Sequence, residues 1–162
     1  MVVVLMGVSG SGKTTIGKIL AEKLGWTFIE GDDFHPPANV AKMRAGTPLT
    51  DTDRAPWLAA LRERVDAACE RGENAVLACS ALKHAYQDYL EKHEPECVQY
   101  VYLHGSEELI RQRLAERKGH FMNPGLLHSQ FETLEPPADA LRVEVSGTPE
   151  ANADEIRHKL KL

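Results

Sequence analysis

The chain has 162 residues, 43% of them hydrophobic and 27% charged, proportions of a globular protein rather than a disordered or fibrous one. A formal charge of −5 argues against nucleic acid as a partner, because grip on a phosphate backbone leaves a basic footprint. No stretch approaches the roughly 20 apolar residues of a membrane span, and no leader pattern is visible, so the expectation is one domain, 1–162, in the cytoplasm.

Five short apolar runs read as strands: Val2–Met6, Thr27–Glu30, 75–79, 99–103 and 142–145. They are too continuous for half-exposed strands and suit a parallel sheet covered on both faces. Helical patterns lie between them. After the first strand, Ile16, Ile19, Leu20 and Leu24 share one face, and Gly25 supplies a C-terminal stop. From 54 to 71, Trp57, Leu58, Leu61, Val65 and Ala68 recur at helical spacing behind Asp53 as N-cap. A helix is expected over 106–118, and a last one opens with Thr148 and Pro149 and buries Ile156 and Leu160. Strands alternating with such helices predict an α/β fold, a three-layer sandwich on a five-stranded parallel sheet. The segments 31–57 and 117–137 resist regular assignment, and loops of that length carry binding groups or lids. Cys69, Cys79 and Cys97 have no metal-type spacing and are expected as small buried apolar residues rather than a disulfide framework.

The first strand runs into Gly7, Val8, Ser9, Gly10, Ser11, Gly12, Lys13, Thr14 and Thr15, which satisfy G-x-x-x-x-G-K-[ST] between a strand and a helix. The glycines let the backbone curl so that successive N–H groups point inward, at the positive end of a helix, where phosphate oxygens bind. Lys13 adds a mobile charge for the β- and γ-phosphates of a nucleoside triphosphate, and the Thr14 hydroxyl is placed to ligate Mg²⁺. The strand 75–79 lacks the aspartate that many P-loop ATPases carry, and no N-K-x-D guanine-reading segment occurs. A small-molecule kinase using ATP fits best.

Asp32 and Asp33 follow the second strand, at the sheet edge where ligands bind in open α/β folds. One carboxylate is expected to assist Mg²⁺ and the other to face the acceptor hydroxyl; spacing does not say which is which. The cations around them, Lys42, Arg44, Arg54 and Lys83, together with His35, suit an anionic acceptor. Arg113 and Arg117, one helical turn apart, suit a kinase lid in which one guanidinium stacks on adenine and the other reaches the transferring phosphate.

The blocks "GVSGSGKTT", "EGDDFHP", "KMRAGTPLTDTDRAPWL", "CSALK", "VYLHGS" and "RKGHFMNPGLLHSQFETLEPP" occur in order between about residues 3 and 137. The chain thereby resembles the gluconate kinases, small P-loop kinases related to shikimate and adenylate kinases. The resemblance implies ATP-dependent phosphorylation of the 6-hydroxyl of D-gluconate, a lid over 117–137, an acceptor segment over 31–57 and a homodimer. It implies phosphate binding by residues 7–15, with Lys13 catalytic, Mg²⁺ on Thr14 with help from Asp32, and nucleotide contacts from Arg113 and Arg117. Asp33, His35, Arg54, Lys83, His120 and Gln130 are implied for the acceptor, with Asp33 orienting the attacking hydroxyl. A shikimate-type kinase and a nucleotide-binding module that transfers no phosphate are the alternatives.

Overall fold

The computed structural model describes residues 1–117 and 124–162. In chain order the strands are β1 (Val2–Met6), β2 (Thr27–Glu30), β3 (Ala75–Ala78), β4 (Val98–His104) and β5 (Leu141–Glu144). The helices are α1 (Lys13–Leu24), α2 (Pro37–Arg44), α3 (Asp51–Glu70), α4 (His84–Glu91), α5 (Glu107–Glu116), α6 (Pro124–Thr133) and α7 (Pro149–Leu160). All pairings are parallel, in the order β2-β3-β1-β4-β5, with Val2 opposite Ala75 on one side and Val98 on the other.

Side chains alternate along the strands, which builds two cores. Val2, Val4 and Met6 of β1 join Ala75 and Leu77 under α3 and α4, where Trp57, Leu61, Val65, Tyr86 and Leu90 pack. Val3 and Leu5 join Val76, Val101 and Val143 on the other face, under Ile16 and Leu20 of α1, Ile110 of α5 and Ile156 of α7. The central strands β1 and β3 are fully buried, as continuous apolar runs require. The edge strands β2 and β5 are only partly so.

Four local features differ from the sequence-based expectation. The stretch 31–57 contains a 3₁₀ turn, Gly31–Phe34, then α2 and the start of α3. Helix α3 begins at Asp51, because Thr50 rather than Asp53 is its N-cap. The Thr50 hydroxyl accepts from the Asp53 N–H at 3.1 Å, and the Asp53 carboxylate accepts from the Thr50 N–H at 2.9 Å, a reciprocal capping box. Helices α4 and α6 were not foreseen; two or three turns give too few periodic positions to stand out. Cys69, in the last turn of α3, is joined to Cys97, just ahead of β4, by a disulfide. The expectation of three isolated apolar cysteines therefore holds only for buried Cys79, since the fold brings the end of α3 against the segment entering β4, 28 residues on.

Candidate active site

The loop after β1 turns on glycines in the left-handed region, and Gly12 (φ 98°) is the N-cap of α1. The cap carries no side chain to hydrogen-bond the first turn, which leaves those N–H groups to a ligand. Within the loop Val8 and Ser11 are buried, while Thr15, on α1, is exposed. The Lys13 ammonium donates to the Gly7 and Val8 carbonyls at 2.9 and 2.8 Å, folded onto its own loop. Burial pushes its pKa below the ordinary lysine value, against the pull of Asp32, Cys79 and Glu30 and with a smaller contribution from Arg117.

Thr14, the proposed metal ligand, donates from its hydroxyl to Glu30 Oε2 at 2.5 Å. Glu30 was not among the candidates. It ends β2, and its other oxygen accepts from the Asp32 N–H at 3.4 Å, capping the 3₁₀ turn. Next to it, Gly31 is required because a Cβ there would overlap the Ala78 carbonyl. The Gly31 carbonyl in turn accepts from Trp57 Nε1 at 2.8 Å, tying α3 to the turn that presents the acids. An acid at the C-terminal end of a strand beside the P-loop is the signal that could have found Glu30. The hard oxygens of Thr14, Glu30 and Asp32 fit magnesium, which takes one or two carboxylates and fills its remaining positions from phosphates and water. No cluster of three or more His, Cys, Asp or Glu side chains suited to a metal exists among the described residues.

Above the loop opens a cleft lined by Ser9, Lys13, Asp32, His35, Arg54, Trp57, Ser80 and Gln130, with Met43 from α2, Thr47, Pro48 and Leu49 from the α2–α3 connection and Leu126 and Ser129 from α6. The phosphate loop, the 3₁₀ turn, the start of α3 and α6 thus share one space. The His35 ring stacks on Trp57, centroids 4.4 Å apart and planes 10° from parallel. Burial lowers its pKa, opposed by Asp32 and reinforced by Arg54. Arg54 donates to the Tyr86 hydroxyl at 3.2 Å and lies over the Tyr86 ring. Gln130 of α6 accepts from the Ser9 N–H at 2.7 Å, so a helix within the segment 117–137 touches the phosphate loop directly.

Other candidates lie elsewhere. Asp32 and Asp33 are both exposed, and of the two only Asp32 lines the cleft. Lys83 sits at the N-cap of α4 and donates to Asp51 at 3.0 Å. The Asp51 carboxylate, which also accepts from Tyr86, is held below the usual range by that hydroxyl and then by Lys83. Lys83 therefore joins α4 to α3 rather than lining the cleft. Lys42 is committed to Asp53 at 2.8 Å. Arg113 lies on α5, and Arg117 is its C-cap, where the chain leaves the helix (φ −80°, ψ 123°). His120 lies outside the described residues. Thr47, Pro48, Leu49 and Ser80 were missed; they are uncharged, and their sequence blocks drew attention only through the charged neighbours.

A family model described as an AAA domain matches residues 2–137. The chain is 51% identical over 152 residues to a probable gluconokinase of Xenopus tropicalis, covering 85% of this chain and 80% of that protein. It is 47% identical over 159 residues to a gluconokinase of Gluconobacter oxydans, covering 96% and 89%. Among solved structures, a gluconokinase from Sinorhizobium meliloti superposes with a TM-score of 0.83 at 43% identity, over 98% of this chain and 94% of the other. A shikimate kinase from Aquifex aeolicus, at 20% identity and a TM-score of 0.63 over 99% and 96%, shares the fold. With its phosphate loop and acidic turn facing one cleft, the chain belongs to the AAA-domain P-loop kinases and, within them, to the gluconokinase family.

Proposed function

We propose that this protein phosphorylates D-gluconate at its 6-hydroxyl with ATP, giving 6-phospho-D-gluconate and ADP. The observation that carries the reading is the single cleft in which Lys13 and the P-loop meet Asp32, His35 and Arg54, in a chain with gluconokinase relatives. Residues 7–15 hold the phosphates, and Lys13 leaves the Gly7 and Val8 carbonyls to follow the transferring group. Thr14 and Glu30, with Asp32 beside them, would hold Mg²⁺, which when bound would offset the negative charge of the phosphates. Asp32, rather than Asp33, accepts the proton of the attacking hydroxyl as its oxygen bonds to the γ-phosphorus and the bond to ADP breaks. Arg54 pairs with the acceptor carboxylate, His35 and Gln130 contact the acceptor, and Arg117 approaches the phosphates from the lid.

This reading takes the chain as one kinase unit with its acceptor segment at 31–57 and lid at 117–137. Following the family resemblance, it is a homodimer of the cytoplasm; no helix among the described residues is long and apolar enough to cross a membrane. Coupled detection of ADP release with Mg·ATP, comparing D-gluconate, shikimate, AMP, glucose and no acceptor, tests it. Release with gluconate alone is expected. Release with another acceptor overturns the substrate, and no acceptor-dependent release overturns the kinase reading.

A further inference from the structure

Asn39 lies on α2, 3% exposed, and nothing so far has given it a task. Its side-chain nitrogen donates to the Asp53 carbonyl at 2.8 Å. A carbonyl only accepts, so this contact fixes which end of the amide carries the hydrogens. The same nitrogen sits 3.2 Å from His35 Nδ1, and its second hydrogen is directed there. His35 Nδ1 must then offer a lone pair, and the ring proton resides on Nε2. Stacking on Trp57, itself tied to the Gly31 carbonyl, prevents the ring from turning to exchange its nitrogens.

His35 Nε2 lies 4.0 Å from Asp32 Oδ1, and both residues line the cleft. An oxygen seated between them at ordinary hydrogen-bond distance from each can accept from one and donate to the other. That pair of demands describes a hydroxyl. With the proton on Nδ1, His35 and Asp32 would both be acceptors, and a hydroxyl with one proton would leave one of them unsatisfied.

We propose that Asn39 is a positioning residue that locks His35 as an Nε2–H donor, so that His35 and Asp32 together recognise one hydroxyl of the acceptor. The inference rests on the functional reading above and deepens it, by making an alcohol oxygen the group read at this point of the cleft. Neither a carboxylate, which has no proton for Asp32, nor an ammonium group, which has no lone pair for His35, fits between them.

The test is a pair of measurements on Asn39→Asp and the unsubstituted protein. Long-range proton–nitrogen NMR of the His35 ring in the free protein is expected to show the Nε2–H form. In Asn39→Asp the carboxylate draws a proton to Nδ1, and kcat/KM for D-gluconate is expected to fall on the order of 10–100-fold. The KM for Mg·ATP should stay within about twofold, a split that general loosening of α2 would not produce. A ring protonated on Nδ1 before substitution, or a moved proton with unchanged acceptor kinetics, overturns the proposal.

Should Asn39→Asp not fold, His35→Gln and His35→Leu decide. The amide can still donate near the Nε2 position, so Gln is expected to retain at least about tenfold more activity than Leu. Equal activities overturn the proposal. The ring spectrum is read without any acceptor, so its failure is distinct from a failure of gluconate turnover, which would overturn the functional reading.

Discussion

Asp32 and Asp33 are chemically identical neighbours with different surroundings. The 3₁₀ turn that follows Glu30 rotates successive side chains by about a third of a turn, and although both residues are exposed only Asp32 lines the cleft. If Asp32 takes the proton of the attacking hydroxyl, Asp32→Asn lowers kcat on the order of 10²–10⁴-fold with nucleotide affinity retained. Asp33→Asn, at an exposed position off the cleft, stays within about twofold of the unsubstituted enzyme. Steady-state kinetics of the two variants, with nucleotide binding measured by calorimetry, check the assignment; the reverse ranking would return the role to Asp33. Cys79 shows the opposite kind of environment. Burial pushes its thiol up to about 12, which makes it an inert core residue rather than a nucleophile.

Helix α3 illustrates how an element end can organise a site. Its first two turns carry Asp51, Asp53 and Arg54, each with a partner on another segment: Lys83 and Tyr86, Lys42, and Tyr86 again. Hydrogen bonding from Lys42, then from the Thr50 backbone, holds the Asp53 carboxyl at about 2. A carboxyl depressed in the fold stabilises it above the unfolded value, so this contribution is lost only as the pH drops from about 4 to 2. Near neutrality the helix start is therefore fully charged and paired. Removing the cap by Thr50→Ala should cost about 1 kcal/mol and lower Tm by about 2–4 °C in calorimetry. Because Arg54 sits one turn away, the KM for the acceptor should rise at the same time. A drop in Tm with acceptor KM unchanged would show that the cap supports the helix without positioning the site.

Across the whole molecule, the parallel order β2-β3-β1-β4-β5 delivers the loops after β1, β2 and β3 to one edge, and α6 then closes over them through Gln130 and Ser9. The same packing unites Cys69 and Cys97, with Cα atoms 6.0 Å apart. Thiol titration of unreduced, denatured protein should count one free thiol, that of Cys79. Closure of a loop of this size stabilises by about 2–4 kcal/mol, so adding a reductant should lower the denaturant midpoint. A count of three thiols would mean that the pair remains reduced, as a cytoplasmic setting favours.

By itself the sequence determined the strand-and-helix alternation, the phosphate loop and several residues that line the cleft, among them Asp32, His35, Arg54 and Gln130. These are local: continuous apolar runs, a 3.6-residue period, and a glycine pattern whose backbone geometry carries its chemistry. Tertiary structure alone decided the use of each charged group. Lys83 and Lys42 look like substrate cations in sequence, yet each is neutralised by an acid brought to it through folding. Glu30 looks like the end of a strand, yet it meets Thr14 because β1 and β2 end at the same edge. Asn39 looks like an ordinary helix residue, yet the approach of α3 brings the Asp53 carbonyl to its amide and so fixes which end faces its near neighbour His35. Pairings of this kind depend on which distant segments share a neighbourhood, and a short polar side chain leaves no periodic trace of its partner.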